Sequence, residues 1–168
     1  MSASILISLV LTISFISSGC EAQDVDNLIT SRDKKDMVKL INQARGKGVY
    51  CGNKWQKPVE PLKWDEDLEK AAAMKSLDMH QNNYFAHTSP TGETLSDRLE
   101  KIKYAWKAMG ENLAKGPSTV EQTVETWLKS EGHCLNIMKP EFTHFGAAQY
   151  GTYWTQIFAS PAEEYRSP

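Results

Sequence analysis

The sequence predicts an α+β fold, a three-layer α-β-α sandwich with helices on both faces of a small antiparallel sheet. Three observations carry this. Val120, Val124, Trp127 and Leu128 recur at helical spacing, i, i+4, i+7 and i+8, and form one apolar stripe. Phe142 to Tyr150 and Thr152 to Ala159 are runs of β-formers joined at Gly151, which reads as a hairpin. Further helical patterns lie upstream. Helices before, between and beside so few strands imply cover on both sides of the sheet.

The elements follow in order. Glu21 to about Ser31 is polar, acidic and aperiodic, so residues 20–32 read as a tether and 33–160 as the domain. Met37, Leu40, Ile41 and Ala44 recur at helical spacing, and Gly46 and Gly48 end that helix. Val49 to Leu62 carries Cys51, Gly52, Pro58 and Pro61 and reads as a loop. Asp65 caps a second helix with Leu68, Ala71, Ala72 and Met79 on its apolar face, ending near Asn82. Phe85 to Gly92 is a loop holding His87. Thr94 and Asp97 make a capping arrangement for a short helix to about Lys101.

Tyr104 to Met109 is a strand leading into Gly110-Glu111-Asn112, where Asn112 is expected to fix a turn. Ser118 and Glu121 form a capping box for the helix that carries Trp127. That helix is expected to end at Gly132, with His133 directly after it. Tyr153 to Phe158 does not alternate, so both faces of that strand are covered. Trp127 and Trp154 belong to the core. Residues 161–168 are a tail.

The chain of 168 residues allows one domain, and a net charge of −2 offers no electrostatic case for nucleic acid. Residues 1–19 hold no charged side chain, and Ile5 to Ile16 is apolar. That stretch is too short to span a bilayer and fits the h-region of a signal peptide. It ends Ser17-Ser18-Gly19-Cys20, which resembles a relaxed bacterial lipobox. Cleavage before Cys20 and acylation of that residue are expected, with a plain secretory leader as the alternative. An acylated chain would sit on a membrane, at the outer membrane or cell surface. Cys51 and Cys134 then remain as an even pair in an exported protein. That pattern points to a disulfide, with two free thiols as the alternative.

The nucleophile elbow, P-loop, dinucleotide-binding turn and His-Glu-x-x-His helix are absent. What remains is a dispersed set, His87, Glu111 and His133, with Glu131, Glu125 and His144 as possible additions. No catalytic residue stands out. Two imidazoles and a carboxylate suit Zn²⁺ or another borderline divalent cation, and they equally suit a hydrogen-bonded network. His144, at the start of a strand, reads as a packed or solvated histidine. Cys134 beside His133 is a poor nucleophile–base pair, because adjacent side chains rarely face each other.

Six segments in order resemble the CAP superfamily, the SCP or PR-1-like domains, in bacterial form. They are Ile41 to Arg45, Pro61 to Trp64, Phe85 to His87, Gly110 to Asn112, Trp127 to Met138, and Tyr153 to Phe158. The resemblance implies the α-β-α sandwich already read from the elements and a central cleft built around two His and two Glu. His87, Glu111 and His133 match three of those groups. The fourth is expected three residues after the helix Trp, where this chain has Ser130, with Glu131 next to it as a candidate substitute. The resemblance also implies a Cys51–Cys134 bridge that anchors His133. It implies a binding protein for a sterol, a fatty acid or a host or envelope partner. The alternative is a metal-dependent hydrolase or protease using the same cleft.

Overall fold

The computed structural model describes residues 29–163. The leader, Cys20, most of the expected tether and the last residues of the tail lie outside them. Among the described residues, no helix is long and apolar enough to cross a membrane.

Helix α1, Ser31–Lys47, starts where Thr30 and Asp33 cap each other reciprocally, and it buries Met37, Ile41 and Ala44. It begins two residues before the expected domain start at 33, and Ile29 ahead of it is already buried. Gly48 ends the helix at φ 74°, and a Cβ there would lie 2.6 Å from the Gln56 carbonyl oxygen. The expected loop after it is instead a two-stranded antiparallel ribbon. Its strands are β1, Val49–Cys51, and β2, Lys54–Gln56, with Tyr50 opposite Trp55. The prolines marked the loop correctly, but both lie beyond Gln56, so they did not forbid the ribbon.

The two-residue strand β3, Lys63–Trp64, leads into helix α2, Glu66–Gln81, which Asp65 caps. Helix α3 is Leu95–Lys101, strand β4 Trp106–Lys115, and helix α4 Val120–Lys129. Helix α5, Glu131–Ile137, precedes the hairpin of β5, His144–Tyr150, and β6, Tyr153–Pro161.

The main sheet has strand order β3-β5-β6-β4. The expected antiparallel ladder holds for β4, β6 and β5, and β3 adds a short parallel pairing to β5. On one face Leu68, Ala71 and Ala72 of α2 pack with Leu99, Ala148, Ile157 and Ala159. On the other, Met37, Ile41, Val124, Trp127 and Ile137 pack with Phe145, Trp154 and Phe158. The three layers are therefore present, and β6, central and covered on both faces, is buried from Tyr153 to Ala159. Gly146 lets α2 approach closely, since a Cβ there would sit 2.2 Å from the Glu69 backbone nitrogen.

Several boundaries differ from the sequence reading. Gly110-Glu111-Asn112 lies within β4, paired to Phe158, Ile157 and Gln156, so Asn112 holds strands together and does not fix a turn. The cap of α4 is Thr119, whose side chain accepts from the Gln122 amide, while Ser118 donates to the Gln122 side chain. That helix stops at Ser130, and His133 sits inside the next helix, not after a terminal glycine. Strand β6 runs on to Pro161, and the Ala162 amide still bonds the Ala105 carbonyl, so the tail begins later than expected.

Candidate functional site

The site forms along β4, which is an edge strand of the main sheet. Adjacent strand residues point to opposite faces, so Glu111 and Asn112 reach into different helical layers. Glu111 enters the α2–α3 layer and Asn112 the α5 layer. His87 arrives from the loop between α2 and α3, and His133 from α5.

The Glu111 carboxylate is almost fully enclosed and both of its oxygens are engaged. His87 Nδ1 lies 2.8 Å from Oε1. The Arg98 guanidinium donates to Oε2 through a very short hydrogen bond. Arg98 is itself completely buried, and its other close anionic neighbour is Glu93, 3.9 Å away. A carboxylate on Nδ1 favours a proton there, leaving the Nε2 lone pair of the largely exposed His87 ring facing solvent.

The His87 loop is held from below by Lys75, also fully buried, which donates to the His87 carbonyl at 2.9 Å and to the Tyr84 hydroxyl at 3.0 Å. Tyr84 in turn donates a short hydrogen bond to Asp78. Burial, followed by the nearby Arg98 charge, holds the Lys75 ammonium below the ordinary lysine range. Burial and the bond to Asp78 push Tyr84 up.

On the opposite layer, Asn112 donates to the His133 carbonyl and to the Gln156 side chain, each at 3.1 Å. Asn136 donates to the Asn112 side chain at 2.9 Å and to the Glu111 carbonyl at 3.3 Å. This amide network fastens the first turn of α5 against the sheet. Burial, then the neighbouring His87 ring, lowers the His133 pKa, so its imidazole is neutral at pH 7. His133 Nδ1 is buried without a hydrogen-bond partner. A Cys51–Cys134 disulfide, with Cα atoms 5.4 Å apart, ties the ribbon to the residue after His133. Cys134 is therefore no free nucleophile.

Of the residues picked from the sequence, His87 and Glu111 touch, and His133 comes alongside. The others do not join them. Glu131 turns to the ribbon, with its carboxylate against Gly52, because two helical steps separate it from His133 by about 200°. Glu125 is paired with Lys129 at 2.6 Å on α4, beside the groove against α1. His144 pairs in register with Lys63 of β3, at the far edge of the sheet from β4. Trp127 and Trp154 are core residues, as expected.

Arg98 and Lys75 were missed, although the sequence carried a signal. Each is a cation on an apolar stripe. Arg98 follows Leu95 by three residues and precedes Leu99, and Lys75 continues the series Leu68, Ala71, Ala72 at i+7.

These residues do not fit a resident metal. Among the described residues, no group of three or more His, Cys, Asp or Glu side chains is placed to hold an ion. Glu111 has no free oxygen to offer, Ser130 stands where a fourth group was expected, and Glu131 faces away. Two imidazoles remain, without a carboxylate ligand.

Comparison with known proteins agrees with this architecture. Residues 38–158 match the CAP profile, described as the cysteine-rich secretory protein family. The chain is 41% identical over 127 residues to the uncharacterized protein YkwD of Bacillus subtilis, covering 74% of this chain and 46% of that one. An extracellular protein of Bacillus anthracis containing an SCP domain superposes with TM-score 0.66 at 35% identity, over 74% of this chain and 39% of that one. An outer surface protein of Borrelia burgdorferi superposes with TM-score 0.67 at 23% identity, over 80% and 96% of the two chains, and shares the fold. The chain thus spans less than half the length of the two Bacillus proteins.

Proposed function

Because the chain belongs to the CAP, or cysteine-rich secretory protein, family, we propose that it is an exported, lipid-anchored binding protein for a small apolar ligand. The ligand class is a lipid, such as a fatty acid. One observation carries the reading. A groove of about 420 Å³ runs between α1 and α4, floored by Leu40, Ala44, Val49, Val124 and Leu128, with Lys47, Lys129, Glu121 and Glu125 around its rim. That volume lies in the range of small-molecule sites, and the apolar floor suits a hydrocarbon chain.

This moves the ligand away from the central His87–Glu111 cleft, where the sequence placed it. Export is supported by the apolar leader before Cys20 and by relatives described as extracellular or as an outer surface protein. The small residues preceding Cys20 support an acyl anchor there and hence a place at the outer membrane or cell surface.

The test is uptake of labelled palmitate by the delipidated full chain. Half-buried Leu40 and Leu128 are suited to a Leu40→Gln/Leu128→Gln variant that keeps its fold. Uptake lost in that variant and kept in His87→Ala is the expected result. No uptake, or uptake indifferent to the groove, overturns the reading.

The orientation of His87 favours a second reading, hydrolysis, because its Nε2 faces outward with a carboxylate behind it. Against it stand the disulfide on Cys134 and the engagement of both Glu111 oxygens. Peptide or ester turnover by the full chain with Zn²⁺ supplied, abolished by His87→Ala, would establish it over the binding reading.

A further inference from the structure

We infer that the exposed ridge of α1, together with the β1–β2 ribbon, is a docking face for an anionic phospholipid bilayer surface. It shares Lys47 with the rim of the α1–α4 groove and needs no ligand in that groove.

Two aromatic side chains stand in solvent beside each other. Tyr50 is 66% exposed and Trp55 52% exposed, and their rings meet edge to face at 5.1 Å. They are the most exposed large hydrophobic side chains among the described residues. Isolated exposed aromatics need no explanation, but an adjacent pair on a rigid ribbon does. The ribbon is rigid because the disulfide pins its first strand to α5. Amphipathic rings of this kind settle at the headgroup level of a bilayer.

The ring of Trp55 lies over Gly48, 2.7 Å from where a Cβ would be, so the aromatic pair adjoins the end of α1. Along α1, exposed Lys35, Lys39 and Lys47 fall at i, i+4 and i+12 with Gln43 between them, one stripe about 18 Å long. Lys57, two residues beyond Trp55 on extended chain, is exposed as well. None of these four lysines makes an ion pair among the described residues.

The carboxylates that α1 carries are already engaged. Asp33 caps the helix with Thr30, and Asp36 lies 3.8 Å from Arg32. Glu131, near the ribbon turn, lies against Gly52. Lys47, next to the glycine that Trp55 covers, and Lys57 thus stand beside the two exposed rings, while Lys35 and Lys39 continue along the exposed side of α1. The complement of that surface is a sheet of fixed negative charge with an apolar layer just beneath it, which is an anionic bilayer and not a soluble anion. The described chain enters α1 at Ser31, the end of the ridge away from the ribbon.

The test uses the full chain carrying Cys20→Ser, which removes the acylation site, and vesicles of phosphatidylglycerol or of phosphatidylcholine. Sedimentation with phosphatidylglycerol vesicles at low salt, release in high salt, and none with phosphatidylcholine are expected. Each lysine near an anionic surface is worth about fivefold in partitioning, so Lys39→Gln/Lys57→Gln should weaken binding about 25-fold with an unchanged melting temperature. Quenching by spin-labelled lipid, measured as wild type minus Trp55→Phe, should place Trp55 at the interface. Equal binding to the two vesicle types, or no response to the lysine variant, overturns the proposal. So does a dimer in solution that shields Trp55 without lipid. The Leu40→Gln/Leu128→Gln variant separates the two ideas, since it should lose palmitate and still sediment with vesicles.

Discussion

Replacing Glu111 by Gln is the most telling perturbation of the cleft. Its carboxylate is enclosed, and it neutralises a guanidinium that is buried even more deeply. Removing one partner of a buried ion pair leaves the other charged and poorly solvated, which costs about 3–5 kcal/mol. That is a large share of the 5–15 kcal/mol typical of a domain. Arg98→Met should cost a similar amount, because it strips Oε2 of its donor. The double variant Arg98→Met/Glu111→Gln removes both charges at once and should recover much of the loss, with a coupling of about 2 kcal/mol or more. Urea unfolding followed by tryptophan fluorescence measures all four corners of the cycle. Losses that simply add, or a cost below about 1 kcal/mol for Glu111→Gln, would show that the pair is not the structural keystone of this edge.

Two further outcomes follow from the other layer. The disulfide closes a loop of 83 residues, so Cys51→Ala/Cys134→Ala should lower unfolding stability by about 4.5 kcal/mol on the chain-entropy account, and reduction of the wild type should match it. A urea midpoint unmoved by reduction would contradict this. His133 has a folded-state pKa below its ordinary value of 6.5, so the unfolded chain takes up the proton first. Stability should therefore be full above about pH 6.5, fall as pH drops below it, and level off once the lowered pKa is passed. His144 is shifted in the same direction, so the difference between wild type and His133→Asn isolates the His133 part. Melting temperatures of the two proteins that track each other across this pH range would refute the assignment.

Much of the framework was legible because it rests on local rules. The caps at Asp65 and Thr94, the stripe of α4 and the hairpin at Gly151 are each written within a few residues. The CAP motifs placed the remainder, and their roles prove largely structural. Asn42 exchanges hydrogen bonds with the Leu62 backbone in both directions, at 2.9 and 2.8 Å. Arg45, fully buried and held near pKa 10 by desolvation, donates to the carbonyls of Glu60, Ile137 and Lys139. The ribbon escaped notice because its strands are too short for an alternation to register. Glu131 was weighed as a ligand because distance along the chain says little about direction around a helix.

By itself the sequence determined which residues could meet: His87, Glu111 and His133 from separate segments, and Cys51 with Cys134. It also determined the order of the main helices and of the hairpin, but not the ribbon that carries Cys51 or the helix that carries His133. Only the tertiary structure decided what Glu111 is committed to. The partner of a buried charge is set by packing across layers, and the sequence marks Arg98 only as a cation in a short capped helix. That contact turns a plausible metal carboxylate into a structural one. The pairing of α1 with α4 likewise opens an apolar groove away from the histidines, a consequence of helix packing that no motif encodes.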